Sequence, residues 1–188
     1  MMNRREALSR VAILVGGTVI GAEAFLTGCK ASTKTVSFSK EDIAFLNEVA
    51  ETILPATDTP GAKDAKVGEF MAVMVNDCYE EKDQQIFMEG MKTLQFKEAK
   101  AKIGKAFMEA SATDRHNLLV IIDAEAKDYK KNKKTEEPNH YFTMMKQLTL
   151  TGFFTSEIGA KKVLRYVAIP GKFDGSAPYV KGEKAWAI

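Results

Sequence analysis

The chain has 188 residues, with 27 basic and 25 acidic side chains, a formal net charge of +2, two histidines and two cysteines. This near-neutral balance, with no basic stripe interleaved with aromatics, argues against nucleic acid as a partner. Two cysteines are too few for a disulfide framework, and 45% apolar residues is ample for one folded domain.

The chain opens with a cationic stretch holding the pair Arg4-Arg5, followed from Val11 to Leu26 by sixteen mostly apolar residues and then Leu26-Thr27-Gly28-Cys29. A basic segment, an apolar run and a small-residue site are the parts of a signal peptide. Because the site ends in cysteine it resembles a bacterial lipobox, which implies a lipid on Cys29 and cleavage before it. Arg4-Arg5-Glu6-Ala7-Leu8 resembles the twin-arginine motif that exports folded proteins. Ala7 and Ser9 stand where an aromatic residue and a lysine are usual, so the general export route is the alternative. An uncleaved membrane anchor is the competing reading, but the run falls short of the roughly 20 residues a span needs, and Glu23 lies inside it. The expected division is a cleaved signal over 1–28, a lipidated tether of small polar residues over 29–37, and a domain over 38–188. Lys30, where aspartate would signal retention, points to the outer membrane, facing the periplasm. Without residues 1–28 the chain keeps 160 residues with 24 basic and 23 acidic side chains.

Within the domain, Phe38-Ser39-Lys40-Glu41-Asp42-Ile43 reads as a helix start. Ser39 is the cap, Asp42 completes a capping box and Phe38 is placed to staple onto Ile43. Ile43, Leu46, Val49, Ala50 and Ile53 keep helical spacing to Pro55, which ends the helix. Pro55 to Ala62 reads as an ordered turn in which Asp58 and the threonines can bond local amides. A second helix is expected from Val67 to about Tyr79, with Val67, Phe70, Met71, Met74 and Val75 inside and Cys78 as a small buried core residue. Asp83 to about Met108 gives one or two helices burying Ile86, Phe87, Met91, Leu94, Phe96, Ile103 and Phe107, with Gly90 and Gly104 as weak points.

Ser111-Ala112-Thr113-Asp114 opens the next helix, with Leu118, Leu119, Ile121, Ile122 and Ala126 inside. Lys130, Lys131, Lys133 and Lys134 mark its solvated end. Pro138 suits the first turn of a further helix burying Tyr141, Phe142, Met144, Met145, Leu148 and Leu150. Ser156 can cap a short helix with Ile158, Val163, Leu164 and Tyr166. No period-2 strand and no internal repeat is visible. The expected architecture is all-α: a small single-domain bundle of five to seven helices with an irregular C-terminal tail after Pro170-Gly171.

Chemistry finds little to stand on. His116 and His140 sit on different predicted helices, away from any HExxH spacing, and Asp123 and Glu125 face different sides of theirs. CxxCH, GxGxxG and GxxxxGK[ST] are absent after the leader. The reading is therefore of a chain with no catalytic residues, no metal ligands and no cofactor site. An autonomous hydrolase has no constellation behind it; a free-standing lipoprotein that binds a small ligand in its helical bundle is the alternative that stays open.

The stretch Glu48 to Ala62 (EVAETILPATDTPGA) with Val67-Gly68-Glu69-Phe70, and later Phe142 to Gly159 (FTMMKQLTLTGFFTSEIG), resembles the gluconate 2-dehydrogenase subunit 3 family. Pro170-Gly171, Asp174-Gly175 and Gly182 with Ala185-Trp186 are similar to its ending. The resemblance implies a small non-catalytic subunit of a membrane-associated sugar or sugar-acid dehydrogenase. Its large subunit would be a flavoprotein of the glucose–methanol–choline group carrying FAD, with a cytochrome c as a possible electron acceptor. The small subunit would support maturation and folded export of that partner. Relatives in the family are not generally lipid-anchored, which sets Cys29 apart. Transferred to this sequence, the partner interface falls on Pro55, Thr57, Asp58, Thr59, Pro60 and Gly61, on Phe153, Phe154, Ser156 and Glu157, and on Trp186. Structural duties compete at each: Phe153 and Phe154 as core, Pro60 and Gly61 as turn formers, Trp186 as a pin for the tail.

Overall fold

A computed structural model of the protein describes residues 36–169, 171 and 175–187. Arg4, Arg5, Cys29 and most of the tether lie outside the described residues. From Val36 onward the chain forms one compact unit. Among the described residues it has six α-helices: α1 (Lys40–Ile53), α2 (Val67–Cys78), α3 (Glu81–Lys92), α4 (Ala99–Ile103), α5 (Ala112–Asn132) and α6 (Tyr141–Thr155). Two π segments, π1 (Thr93–Glu98) and π2 (Gly159–Val163), and a 3-10 turn at Phe107–Glu109 complete the order. The all-α expectation holds.

The helix starts follow capping chemistry. Ser39 Oγ accepts the Asp42 amide at 3.1 Å while Asp42 Oδ2 accepts the Ser39 amide at 2.9 Å, a reciprocal box. Ser111 Oγ accepts the Asp114 amide at 3.2 Å. His140 caps α6, its Nδ1 accepting the Phe142 amide at 3.2 Å. Pro138 therefore lies ahead of the cap and outside the first turn. Phe38 docks edge-on against Phe87 of α3, ring centroids 6.4 Å apart, rather than serving only its own helix.

α6 is the hub. It packs against α1, α2, α3 and α5 and buries Tyr141, Phe142, Met144, Met145, Leu148, Gly152 and Phe153. Two glycines make this approach possible. A Cβ at Gly90 would stand 2.1 Å from Tyr141 Cγ, and one at Gly152 would stand 2.5 Å from Phe70 Cδ1. Gly90 is thus a packing contact inside an unbroken helix and no weak point, whereas Gly104, at φ 75°, does end α4.

Several expected core residues face outward, each for a local reason. The π1 segment carries an extra residue per turn, which rotates Phe96 out to 55% exposure. Leu118 to Ile122 is a run of five apolar residues on one helix, more than one full turn, so Val120 and Ile121 must point away from the core. Leu150 sits two positions from Leu148 and so on the opposite face of α6. Cys78 is exposed in the last turn of α2, its Sγ 4.0 Å from Met74 Sδ. Buried Gln84 closes that helix end instead, donating from Nε2 to the Asn76 and Tyr79 carbonyls at 3.1 and 3.0 Å. Ser156 Oγ accepts the Gly159 amide at 2.9 Å, but the turn it starts ends at Val163, leaving Tyr166 exposed.

Candidate functional site

The turn after α1 is built around one carboxylate. Glu51 Oε1 accepts the Ala56 amide and Oε2 the Lys63 amide, both at 2.8 Å, so the acid spans the loop like a bracket. Thr57 and Thr59 bond each other through backbone and side chain, the Leu54 carbonyl accepts the Ala62 amide at 2.9 Å, and Asp64 accepts the Gly61 amide at 3.2 Å. Asp58, expected to share this work, is exposed, and Glu51 does it instead. Gly61 is required for packing: a Cβ there would stand 2.4 Å from both Glu51 carboxylate oxygens.

The turn leads into α2 through Lys66, held at φ 53° with no side-chain cap of its own. Asn47 of α1 supplies the cap across the helices, its Oδ1 accepting the Gly68 amide at 2.8 Å. Beside it, Glu48 receives Lys63 Nζ at 2.6 Å and the Arg115 guanidinium. Burial alone would raise the Glu48 carboxyl, but the hydrogen bond and charge of Lys63, together with Arg115, outweigh it and hold it below the usual carboxylate range. Arg115 also donates to the Phe107 and Met108 carbonyls at 2.9 and 2.8 Å and lies over the Phe107 ring, which fixes the start of α5 to α1.

Between these elements runs an open groove. One part, about 470 Å³, is lined by Thr52 and Ile53 of α1, His116, Leu119, Val120, Asp123, Ala124 and Lys127 of α5, and Phe142 and Lys146 of α6. A second part of about 490 Å³ shares Thr52 and His116 and continues past Glu48, Glu51 and Arg115 to Pro55 of the turn. The floor is apolar and Val120 stands 54% exposed on its wall. Its carboxylates are committed to partners. Asp123 pairs with Lys127 and Lys146, both at 2.7 Å; burial would raise its carboxyl, but the two lysines outweigh it and leave it ionised. Among the described residues no group of three or more His, Cys, Asp or Glu could hold a metal ion.

The residues expected at the interface lie on three segments: the turn after α1, the end of α6 with the residues that follow it, and the tail. Pro55, Thr57 and Asp58 are exposed on the turn, Thr59 and Pro60 half-buried, Gly61 buried. Phe153 is buried at the end of α6 with its ring T-shaped to Phe154, which stays 39% exposed. Ser156 is half-buried; Glu157, paired with Lys161, is exposed. Trp186 lies on the tail, its ring 3.9 Å under the Arg165 guanidinium. The groove-wall residues Val120, His116 and Ile53, and the brackets Glu51 and Arg115, did not enter the sequence-derived interface. The apolar run from Leu118 to Ile122 was the available signal for the wall.

A family model described as gluconate 2-dehydrogenase subunit 3 matches residues 40–171. The chain belongs to that family. The match contains the bracketed turn, the groove and Phe153 to Glu157, and stops short of Trp186 and the rest of the tail. No curated protein and no solved structure matches the chain. As its name says, the family is one of subunits, which places this chain with a larger dehydrogenase assembly. No helix among the described residues is long and apolar enough to cross a membrane.

Proposed function

We propose that this chain is a non-catalytic accessory subunit of an FAD-dependent sugar or sugar-acid dehydrogenase on the periplasmic side of a bacterial membrane. It supports maturation, folded export and membrane attachment of the flavoprotein subunit, with a cytochrome c as the electron acceptor of the assembly. The observation that carries this is the groove between α1, α5 and α6 with the turn at its mouth. Its carboxylates are paired, its floor is apolar, and its rim is fixed by Glu51 before any partner arrives. A surface of this kind suits docking, because the ordering cost is already met.

The leader fits the same reading. FAD is inserted in the cytoplasm, so a loaded partner must cross the membrane folded, and Arg4-Arg5 supplies a folded-protein export signal. Cys29 then holds the assembly at the membrane through its lipid.

Co-expression with the flavoprotein subunit tests this. The expected result is a co-purifying complex with flavin absorbance, and loss of exported, flavin-loaded partner when this chain is deleted. A colourless monomer beside a flavoprotein that matures alone would contradict it. Cys29→Ser should release the chain from the membrane fraction. The groove's volume also falls in the range of small-molecule sites, which favours ligand binding as a second reading. That reading predicts a thermal shift of the isolated chain with a sugar or sugar acid.

A further inference from the structure

Exposed apolar side chains are concentrated at the C-terminal end. Tyr166, Val167, Ile169, Tyr179, Val180 and Trp186 are all exposed, Ile169 and Tyr179 at 83% and 86%. The same end is basic: among the described residues from Glu157 on, Lys161, Lys162, Arg165, Lys181 and Lys184 face only Glu157 and Glu183, a net +3. Lys161 and Arg165 are taken up by the two acids, so Lys162, Lys181 and Lys184 are in excess. The surface is ordered by contacts of its own. Arg165 and Trp186 form a parallel bridge, Arg165 stacks on the indole, and Lys184 Nζ reaches the Lys162 carbonyl.

Placement adds a second argument. The first turn of α2 touches α1 at Ile43 and Asn47 through Gly68, and touches α6 at Gly152 through Phe70. The first half of α1, where the tether enters, and the end of α6, which leads into the tail, therefore meet the same turn. A nine-residue tether over 29–37 reaches at most about 30 Å. A lipid on Cys29 would keep this end of the bundle that close to the bilayer, a step that rests on the reading of Cys29 given above.

We infer that the described residues from Lys161 to Ile169 and from Gly175 to Trp186 form a membrane-docking surface that rests on anionic phospholipid, with Tyr179, Trp186 and Ile169 at the headgroup level and Lys162, Lys181 and Lys184 against the phosphates. Lysines interleaved with Trp and Tyr are the composition of a membrane–water boundary; the cores of protein interfaces are depleted in lysine. The groove then stays open for the dehydrogenase while the tail faces lipid.

Trp186 is the chain's single tryptophan and reports directly. The compact unit 36–188 is titrated with vesicles of phosphatidylcholine alone and of equal parts phosphatidylcholine and phosphatidylglycerol, following Trp186 emission. The expected result is a blue shift with the anionic vesicles only. Lys162→Gln/Lys181→Gln/Lys184→Gln should weaken partitioning about a hundredfold, at about fivefold per cation near an anionic surface. Ile169→Ser/Tyr179→Ser should weaken it at least about tenfold, with helical circular dichroism unchanged in both. No shift with anionic vesicles overturns the proposal, as does a shift that neither variant alters. Variants that abolish co-purification with the dehydrogenase subunit, while vesicles leave Trp186 unmoved, would make the tail a protein interface and overturn it equally. The assay carries no lipid anchor, so its failure leaves Cys29 to the Cys29→Ser fractionation.

Discussion

The bracketed turn and groove differ from the tail in how their polar groups are satisfied. Around the groove each charged or amide group with a structural duty has a partner inside the domain: Glu51 holds two amides, Asn47 caps α2, and Arg115 ties α5 to Glu48 and two carbonyls. The contacts that hold the tail include a bridge at Arg165 and Trp186, the stacked guanidinium, the Arg165–Glu183 ion pair and one lysine contact, and the tail shows its apolar side chains to solvent. A region that satisfies itself is ready to receive a partner; one that leaves apolar surface exposed is completed by whatever covers it.

This contrast can be broken by mutation. Phe45 is fully buried with its ring T-shaped to Phe107, so Phe45→Ala should cost about 3–5 kcal/mol in denaturant unfolding. Tyr179→Ser should change stability by no more than about 0.5 kcal/mol. Comparable losses from the two would erase the distinction. Glu51→Ala, which leaves two loop amides without their acceptor, should cost about 1–2 kcal/mol and speed hydrogen exchange at Ala56 and Lys63, leaving the α6 amides protected.

A pH effect sharpens the helical side. Burial holds the His140 imidazole below its ordinary range, against the opposing charges of Glu98 and Glu125, and its neutral Nδ1 is the acceptor that caps α6. With the folded value below the unfolded one, the unfolded chain binds the proton more readily. Stability is therefore full above about pH 6.5 and falls as the pH drops below it. His140→Asn, an acceptor that does not titrate, should flatten that slope while keeping the cap. The smallest effect belongs to the tail: Trp186 emission should change at lower denaturant than the helical signal at 222 nm, because the stack on Arg165 opens before the core does.

Much of the helical side was legible in the sequence. Ser39 with Asp42 and Ser111 with Asp114 are local patterns, and local hydrogen bonds follow from spacing alone. Gly61 and the two prolines marked the turn. What escaped was long-range. Nothing near Glu51 says that its carboxylate will span to Lys63, and Gly90 reads as a helix breaker until Tyr141 is packed against it. Cys78 keeps a helical phase that predicts burial, but it stands exposed in the last turn of α2, while Gln84 is buried against that helix end. Phe96 failed because a π segment shifts the phase that spacing arguments assume. At the site, the turn follows from the sequence and the wall does not: Ile121 is expected inside with Leu118, Leu119 and Ile122, but a helix has no face wide enough for the whole apolar run, and Ile121 points outward beside Val120.

The central claim is that the dehydrogenase partner is met at the groove. The direct measurement is co-purification of the flavoprotein subunit with full-length Val120→Asp, which puts a charge on the groove wall, beside Tyr179→Ser/Val180→Ser in the tail. The account predicts that the first loses the flavin-containing partner and the second keeps it. Retention by Val120→Asp together with loss from the tail variant would contradict it.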